Sequence, residues 1–405
     1  MNVPFYYMGV LDKILDNHYA ITKSLLMNKI LNPFLIYGYV SPEYFCDRQE
    51  ETQKLISALK NGRHITLMSP RRMGKTGLIK NAFYHIRQQE AEAACFYMDI
   101  FSTTNLNDFI ILFGQTVIGK LDTLSQKALT TLTGFFKSCR LIYSNDPLNG
   151  TPQVTLDFQP AQAQATLKEI FDYLEHSGKE CYIAIDEFQQ VTEYPEKGVE
   201  GLLRSYIQFL PHVHFIFSGS KQHIMNDIFS SVKRPFYRST EKMSLQPIPA
   251  QYYFPFAHNW MKQGGKQLDE PLFMQIYERY EGHTWYVQYI LNRLYEQSNP
   301  LIDEKTAETC LKDIILSEVD SYQQLYGMLT ENQSSLLRAI ARERIVTSIN
   351  SGAFISKYKL KGSSSINAAL KVLINKEYVY KSDKGYQVYD RFMELWLQIL
   401  PYNNV

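Results

Sequence analysis

The feature that most constrains the fold is a loop around Gly74, which joins a short, mainly apolar run to a helical stretch. The pattern predicts a strand over residues 64–68 and a helix over 77–89, with Ser-Pro-Arg-Arg-Met-Gly-Lys-Thr between strand and helix. A phosphate-binding loop needs inward-facing backbone N–H groups, a lysine and a hydroxyl for magnesium, all at the positive end of a helix. The predicted nucleotide-binding residues are Ser69, Pro70, Arg71, Arg72, Met73, Gly74, Lys75, Thr76 and Gly77.

The loop departs from the usual G-x-x-x-x-G-K-[ST] pattern at its first position, which is Ser69 and not glycine. Serine can replace glycine there if the local backbone is not left-handed. A loop that matches by chance is the alternative interpretation. Within the loop, Arg71 and Arg72 are expected either to contact phosphates or to pair with acids such as Asp47 and Asp99.

Two acids, Asp186 and Glu187, directly follow an apolar run at residues 181–185 that predicts a central strand. Acids at the end of a buried strand are costly unless they are solvated at a site or paired. We therefore expect Asp186 to hold Mg²⁺ together with Thr76, and Glu187 to act as the catalytic base beside Lys75. The alternative is a strand that merely ends in polar turn residues.

Other candidates follow the later strands. Ser218 and Ser220 end the predicted strand 213–217, and we expect one of them, Ser220 first, to orient the attacking water. Plain turn residues are the alternative. Arg238 precedes the predicted strand 242–245 and is a candidate for supplying positive charge to the transition state, within this chain or to a neighbouring subunit. A surface arginine in a salt bridge is the competing interpretation.

The spacing of apolar segments predicts the fold class. Five short apolar runs, at 64–68, 95–100, 181–185, 213–217 and 242–245, alternate with helical patterns, and residues 102–178 are expected to be mostly helical. Such runs are typical of a parallel sheet covered on both faces. The prediction is an α/β parallel-sheet P-loop core.

The C-terminal third has a different pattern. Strand signals are lost from residue 251 to 326, and the helical pattern predicts a separate helical domain. Three further helices and a hairpin near residues 378–389 predict a winged helix-turn-helix. The expected divisions are an N-terminal extension at 1–32, the P-loop domain at 33–249, the helical domain at 250–327 and the winged helix at 328–405. Met27 is predicted as an alternative start, and an ordinary N-terminal helix that packs on the body is the other interpretation.

Composition narrows the class of protein. Lysine and arginine number 42 against 41 aspartates and glutamates, so no overall charge favours nucleic acid or anionic membranes. No window approaches the roughly 18 apolar residues of a membrane span, and no secretory leader is evident. Five scattered cysteines without a C-x-x-C pair favour a reducing compartment. A cytoplasmic protein is expected.

Several motifs together resemble one family. They include Phe45-Cys46-Asp47-Arg48, Pro70–Thr76, Asp186-Glu187-Phe188-Gln189, Phe236-Tyr237-Arg238, Gly282-His283-Thr284 and Tyr389-Asp390-Arg391-Phe392. Over residues 33–400 the chain resembles prokaryotic ATPases of the AAA+/STAND group that have a C-terminal winged helix. The resemblance implies ATP binding and hydrolysis, a helical lid and a switch between nucleotide states. It also implies that Asp47 and Arg48 lie near the adenine, and His283 near the phosphates.

The sequence of the predicted winged helix is consistent with more than one kind of binding partner. Between residues 330 and 385, ten basic residues stand against four acidic ones, and Ser363, Asn367 and Lys371 lie on the predicted recognition helix. This pattern suits contacts with DNA phosphates and grooves. A packing or regulatory module with a solvated charged face is the alternative. The competing functions are therefore a DNA-binding regulator that uses ATP as a structural ligand, and a scaffold that assembles with a protein partner or as a homo-oligomer.

Overall fold

A computed structural model describes residues 31–118, 121, 132, 134–145, 152–382 and 384–400. Residues 1–30, which carry most of the predicted N-terminal extension and Met27, lie outside the described part of the chain. In the first half, the elements are α1 Gln49–Lys60, β1 Ile65–Met68, α2 Lys75–Gln89, β2 Ala94–Asp99, α3 Leu106–Val117, β3 Arg140–Asn145, β4 Pro152–Asp157, α4 Ala163–His176 and β5 Cys181–Asp186.

The second half begins with the rest of the sheet and continues through two helical regions. Its elements are α5 Val199–Ile207, β6 Val213–Gly219, α6 Gln222–Ser230, β7 Glu241–Ser244, α7 Ala250–Gln263, β8 Gln267–Leu268, α8 Glu270–Arg279, α9 Thr284–Tyr295, β9 Leu301–Ile302, α10 Glu304–Gly327, α11 Glu331–Glu343, α12 Gly352–Lys357, α13 Ser363–Asn375, β10 Val379–Ser382, β11 Gly385–Val388 and α14 Arg391–Ile399.

The predicted parallel sheet is confirmed. Five strands pair in the order β2-β5-β6-β1-β7, and all four pairings are parallel. Strand β6 lies between β1 and β5. Because all of these strands are parallel, the loop after β1 lies at the same edge of the sheet as the carboxyl ends of β5 and β6. The topology therefore brings the predicted loop, the two acids and the two serines to one edge.

Helices cover both faces of the sheet. On one face, Leu55 of α1 and Leu78 of α2 pack with Tyr182 and Ile216 of the strands. On the other face, the apolar side chains of α3–α6 pack on the neighbouring strand residues, such as Ile183. Successive residues of β5 thus point to opposite faces, and both sides are apolar, which explains its unbroken hydrophobic run.

A hairpin corrects the prediction for residues 102–178. Strands β3 and β4 pair antiparallel in the middle of this segment, which was expected to be mostly helical. Leu141, Val154 and Leu156 of the hairpin are buried in the same core as α3 and α4. Alternate apolar residues over these two short runs, on either side of Asn149-Gly150, are the sequence signal of a hairpin.

The helical region after β7 contains α7–α10, which we call the lid. It also contains a two-residue parallel pair, β8 with β9, where no strand was expected. Pairs this short produce almost no periodic signal. The lid and the C-terminal segment share one hydrophobic core, in which Phe273 and Leu291 of the lid belong to the same cluster as Leu337 and Trp396.

The C-terminal segment has the predicted winged helix topology. Helices α11, α12 and α13 precede an antiparallel hairpin of β10 and β11, and α14 follows. Val346, in the connection after α11, forms a β-bridge with Tyr386 of the wing. Among the described residues, no helix is both long enough and apolar enough to cross a membrane.

Candidate nucleotide site

The loop between β1 and α2 has the backbone that phosphate binding needs. Gly74 precedes the first residue of α2 and has a φ of 95°, a left-handed conformation that glycine adopts without strain. Ser69 is fully buried, and it is not among the described residues with positive φ. The backbone at Ser69 is therefore not left-handed, and serine can replace the glycine that the motif usually has at this position.

Lys75 begins the helix with its side chain folded back over the loop. Its Nζ donates to the Ser69 carbonyl at 3.1 Å and to the Pro70 carbonyl at 3.3 Å, and the residue is 6% exposed. Burial lowers the pKa of Lys75, whereas the carboxylates of Asp186 and Glu187 act in the opposite direction. The ammonium group thus lies within the field of both predicted acids.

Asp186 shares a hydrogen-bonded cluster with Thr76. The Thr76 hydroxyl donates to Oδ2 of Asp186 at 3.0 Å, and the Tyr97 hydroxyl donates to the same oxygen at 2.6 Å. Burial, followed by the charge of Asp186, raises the pKa of Tyr97 well above its usual range, so this hydroxyl stays a donor. No role for Tyr97 was expected from the sequence.

A third carboxylate, Asp99, lies at the end of β2 beside these groups. Burial raises its pKa, and the nearby carboxylates of Asp186 and Glu187 raise it further, although a hydrogen bond from the Phe101 backbone opposes them. Three acids end or follow adjacent strands β2 and β5, so the site carries concentrated negative charge. Such a site favours a cation.

Glu187 is held by two side chains. Its Oε2 accepts hydrogen bonds from the Ser220 hydroxyl at 2.7 Å and from the Gln189 amide. Glu187 has a φ of 55°, an uncommon conformation for a residue with a side chain. Ser218, the other candidate, is buried, and its hydroxyl has no hydrogen-bond partner in the described part of the chain.

The lid contacts the loop at the start of α9. The Trp285 backbone N–H donates to the Arg72 carbonyl at 3.2 Å, and the Arg72 guanidinium lies 4.1 Å from the centre of the Trp285 ring. Burial lowers the pKa of His283 to about 4; Arg391 lowers it further, and a hydrogen bond to the Arg71 backbone raises it. His283 is thus a neutral ring next to the loop near pH 7.

The winged helix contacts the same loop, and this contact gives Arg71 an acidic partner, as one of the two expectations for Arg71 allowed. The side chain of Arg71 pairs with Glu377 at 2.8 Å, whereas Asp47 and Asp99 were the named candidates. The Arg71 backbone N–H donates to the Tyr389 hydroxyl at 3.2 Å. Glu377 and Tyr389 are distant from the loop in sequence, and no contact between either residue and the loop was expected from the sequence.

Arg48 supports the loop from behind. It is 2% exposed, pairs with Glu51 at 2.8 Å and donates to the Met73 carbonyl at 3.2 Å. Asp47 precedes it and is partly buried. In α2, a side chain at Gly77 would meet the ring of Phe45, so glycine allows these two elements to approach. Asp47 and Arg48 therefore lie on the Met73 side of the loop.

Arg238 is not joined to this cluster. It is exposed, it has a φ of 52°, and its guanidinium lies 5.3 Å from the ring of the adjacent Tyr237. Within the described ranges, no ion pair or side-chain hydrogen bond links it to the loop or to the acids. An exposed arginine at this position is available to a neighbouring molecule.

The residues present fit a nucleotide with magnesium. Buried polar atoms normally have partners, yet Nδ1 of His283 and Oγ1 of Thr284 have none among the described residues. His283 and Thr284 begin α9 beside the loop. A hydroxyl and a carboxylate, on Thr76 and Asp186, are the oxygen ligands that Mg²⁺ prefers.

Comparison with solved structures identifies the fold. A Walker-type ATPase of Pyrococcus abyssi superposes with a TM-score of 0.61 at 18% identity, covering 91% of this chain and 100% of that one. The ORC2 protein of Aeropyrum pernix gives 0.57 at 15% identity, covering 91% and 96%. The chain shares the fold of these two proteins.

Two further comparisons bear on this P-loop fold. The ORC1 protein of Aeropyrum pernix, solved in complex with DNA, superposes with a TM-score of 0.51 at 12% identity over 91% of this chain and 96% of that one. Residues 320–399 match the family model of a probable winged helix domain, in agreement with the observed C-terminal topology. No curated protein matches the sequence. At these identities, the similarity to solved structures establishes the fold alone.

Proposed function

We propose that the chain binds ATP with Mg²⁺ at the loop and hydrolyses it. One observation carries the proposal: the Thr76 hydroxyl lies 3.0 Å from the Asp186 carboxylate, with the buried Lys75 ammonium in the same electrostatic environment. The loop and the acidic strand end come from distant parts of the sequence, yet their side chains meet. This is the arrangement that the chemistry of a magnesium-bound triphosphate requires.

The chain's residues divide the work between binding and chemistry. Lys75 and the loop N–H groups bind the phosphates, and Thr76 and Asp186 hold Mg²⁺, which neutralises charge on the phosphate oxygens. Glu187 accepts the proton of the attacking water, and Ser220 orients the Glu187 carboxylate. Arg238 contributes positive charge, and its exposed position favours a role toward a neighbouring subunit.

Nucleotide state is proposed to control the lid and the winged helix. Both regions contact the loop directly, through Trp285 on Arg72 and through Glu377 and Tyr389 on Arg71. A phosphate in the loop interacts with the same backbone and arginines, so binding and release shift the balance of these contacts. The chain thus acts as a slow, ATP-driven switch of the STAND type.

The proposal is tested by identifying the nucleotide that co-purifies with the protein and measuring turnover with Mg²⁺. Lys75→Ala should weaken binding about tenfold to a hundredfold, because a charge-assisted phosphate contact contributes roughly 1.5–3 kcal/mol. Glu187→Gln should keep binding and lose hydrolysis. Exposed Lys305→Gln on α10 is the control and should change neither property. Wild-type turnover by Glu187→Gln would show that the assigned base is wrong.

A second function, binding to duplex DNA, is favoured by the exposed face of α13. Ser363, Asn367 and Lys371 are all exposed there, as are Lys359 and Lys361 in the preceding connection. Helix α13 is the recognition helix of the winged helix topology, and lysines near it suit phosphate contacts. A regulator that keeps ATP as a structural ligand would show this binding with negligible turnover.

DNA binding is tested by fluorescence anisotropy with a labelled duplex at two salt concentrations. Lys371→Gln should weaken binding and reduce the slope of log affinity against log salt by about 1, since one phosphate contact is lost. Lys305→Gln serves again as the control. No binding at low salt would remove this function and leave the ATPase proposal intact.

A further inference from the structure

A second polar cleft lies between the lid and the winged helix. It has a volume of about 240 Å³ and is lined by Arg279 and Tyr280 of the lid and by residues of the winged helix. These include Arg344, which follows α11, and Arg391, Glu394 and Gln398 of α14. None of the described residues that line it belongs to the loop, so this cleft is separate from the candidate nucleotide site.

The floor of the cleft is an internally neutralised ion cluster. Arg391 and Glu394 have side chains that are 9% and 3% exposed, and they pair at 2.8 Å. A second acid, Glu281, pairs with Arg391 and with Lys384, each at 2.8 Å, so two cations match two carboxylates. A buried arginine satisfied by two carboxylates leaves little attraction for a further anion. Any excess positive charge must come from the other two arginines.

Arg279 and Arg344 supply that excess. Arg279 is exposed and forms no ion pair within the described chain. Arg344 donates from Nη2 to the Arg279 carbonyl at 3.0 Å, and its Nε lies 3.7 Å from Glu394. The two residues are therefore held close together, each with unused guanidinium donors. Arginine presents such donors in a planar fork that matches carboxylate or phosphate.

Tyr280 adds an unpaired buried donor. It is 2% exposed and lines the cleft, and its hydroxyl has no hydrogen-bond partner in the part of the chain that the structure describes. Leaving a buried hydroxyl unpaired is unfavourable, and tyrosine hydroxyls usually find a partner when buried. A small shift of the Tyr280 ring would let an anion in the cleft accept a hydrogen bond from this hydroxyl.

From these observations we propose that the cleft binds a small dianion, either a phosphate group or a dicarboxylate. Arg279 and Arg344 balance its two charges, and the Tyr280 hydroxyl donates to one of its oxygens. Because the lining comes from both the lid and the winged helix, the bound anion joins these two regions. The site is independent of ATP hydrolysis at the loop.

Thermal unfolding and calorimetric titration test the site with inorganic phosphate and with succinate, against chloride at matched ionic strength. Each titration is run with and without ADP, because ADP competes with phosphate at the loop but not in the cleft. At least one dianion should raise the melting temperature of the wild type in the presence of ADP. If only phosphate or only succinate raises the melting temperature, that response identifies the class of dianion that binds.

Three variants localise the effect. Arg279→Gln should weaken dianion binding about tenfold to a hundredfold, because it removes a charge-assisted contact. Tyr280→Phe should weaken it by less, and should not lower the melting temperature without anion, since the hydroxyl has no partner to lose. Arg140→Gln, an exposed arginine on β3, is the matched control and should bind like the wild type.

Two results would overturn the proposal. One is a wild type that responds to neither dianion more than to chloride. The other is an Arg279→Gln variant that binds phosphate and succinate, in the presence of ADP, as tightly as the Arg140→Gln control. Neither result would bear on the ATPase proposal, because the loop variants test that separately.

Discussion

Ser220 and Ser218 lie two residues apart at the end of β6 but differ in what they contact. Ser220 donates to Glu187 at 2.7 Å, whereas the hydroxyl of buried Ser218 has no partner among the described residues. Ser220→Ala should therefore lower kcat about tenfold with ATP affinity unchanged, because one hydrogen bond that orients the base is lost. Steady-state turnover and nucleotide titration measure the two quantities.

Ser218→Ala is the matched control for Ser220→Ala, since it makes the same change on the same strand. It removes an unpaired hydroxyl and should leave both kcat and thermal stability close to those of the wild type. A larger loss of kcat in Ser218→Ala than in Ser220→Ala would show that Ser218, and not Ser220, orients the base.

His64 makes stability depend on pH. Burial lowers its pKa to about 4, and nearby His214 and Arg204 lower it further, from an ordinary value of 6.5. Its Nδ1 accepts the Phe215 N–H at 3.1 Å, which a protonated ring cannot do. Stability from the neutral ring is complete above pH 6.5 and is lost as pH falls through 4. We expect the free energy of unfolding to fall by on the order of 2 kcal/mol across this window.

Substitution by asparagine isolates this contribution. His64→Asn keeps an acceptor near the Phe215 N–H but cannot take up a proton, so denaturant unfolding should show a weaker dependence on pH between 6.5 and 4. His223→Asn, at an exposed position on α6, should retain the dependence of the wild type. An unchanged pH dependence in His64→Asn would place its origin elsewhere, for example at buried His283.

At the scale of elements, the unexpected hairpin is held against α3 by close packing at Gly114. A methyl group on Gly114 would overlap the side chain of Leu156 in β4 and approach Ile170 of α4. Glycine to alanine inside a helix normally stabilises by up to about 1 kcal/mol. Overpacking costs about 1–3 kcal/mol, so Gly114→Ala should be destabilising in denaturant unfolding.

At Gly201 in α5, substitution by alanine is expected to have the opposite effect on stability. The nearest atom to a methyl group there is Cγ of Pro235, at 3.9 Å, so Gly201→Ala should be neutral or stabilising. Leu156→Ala should cost less stability in the Gly114→Ala background than in the wild type, because it removes the clash and the added methyl group fills part of the space. Stabilisation by Gly114→Ala alone would show that α3 and the hairpin are not packed as described.

At the scale of the whole molecule, the winged helix occupies groups that a phosphate would otherwise use. The Arg71 N–H is bonded to Tyr389, and the Arg71 side chain to Glu377. Releasing either group should raise ATP affinity about two- to tenfold, the value of one net hydrogen bond. Tyr389→Phe and Glu377→Gln should each show this increase in an equilibrium titration with a fluorescent ATP analogue.

The same variants should change stability little, because the Arg71–Glu377 pair is partly exposed, at 31% and 29%, and such pairs contribute at most about 1 kcal/mol. Glu331→Gln removes another glutamate of the winged helix, which is 86% exposed, and should leave ATP affinity unchanged. Weaker ATP binding in Tyr389→Phe would mean that this contact supports the loop and does not compete with phosphate.

The sequence by itself determined the features that depend on local pattern. Near-continuous apolar runs indicated four of the five parallel strands, since a strand buried on both faces is apolar throughout. The edge strand β7 has a single buried apolar residue, Met243. The order of residues from 69 to 76 indicated the loop, and an acid directly after a buried strand indicated Asp186. Because the ends of parallel strands meet at one edge, these motifs also implied that Thr76 and Asp186 come together.

Only the tertiary structure decided which side chains meet across long separations in the chain. It joined Ser220 to Glu187, Tyr97 to Asp186, and the loop to the lid and winged helix, and it left Arg238 apart. The hairpin of β3 and β4 also depended on it, because these short strands, of six residues each, gain their stability from packing on α3 and α4. Contacts between distant residues are set by packing and by the path of the backbone, and neither leaves a periodic signal in the sequence.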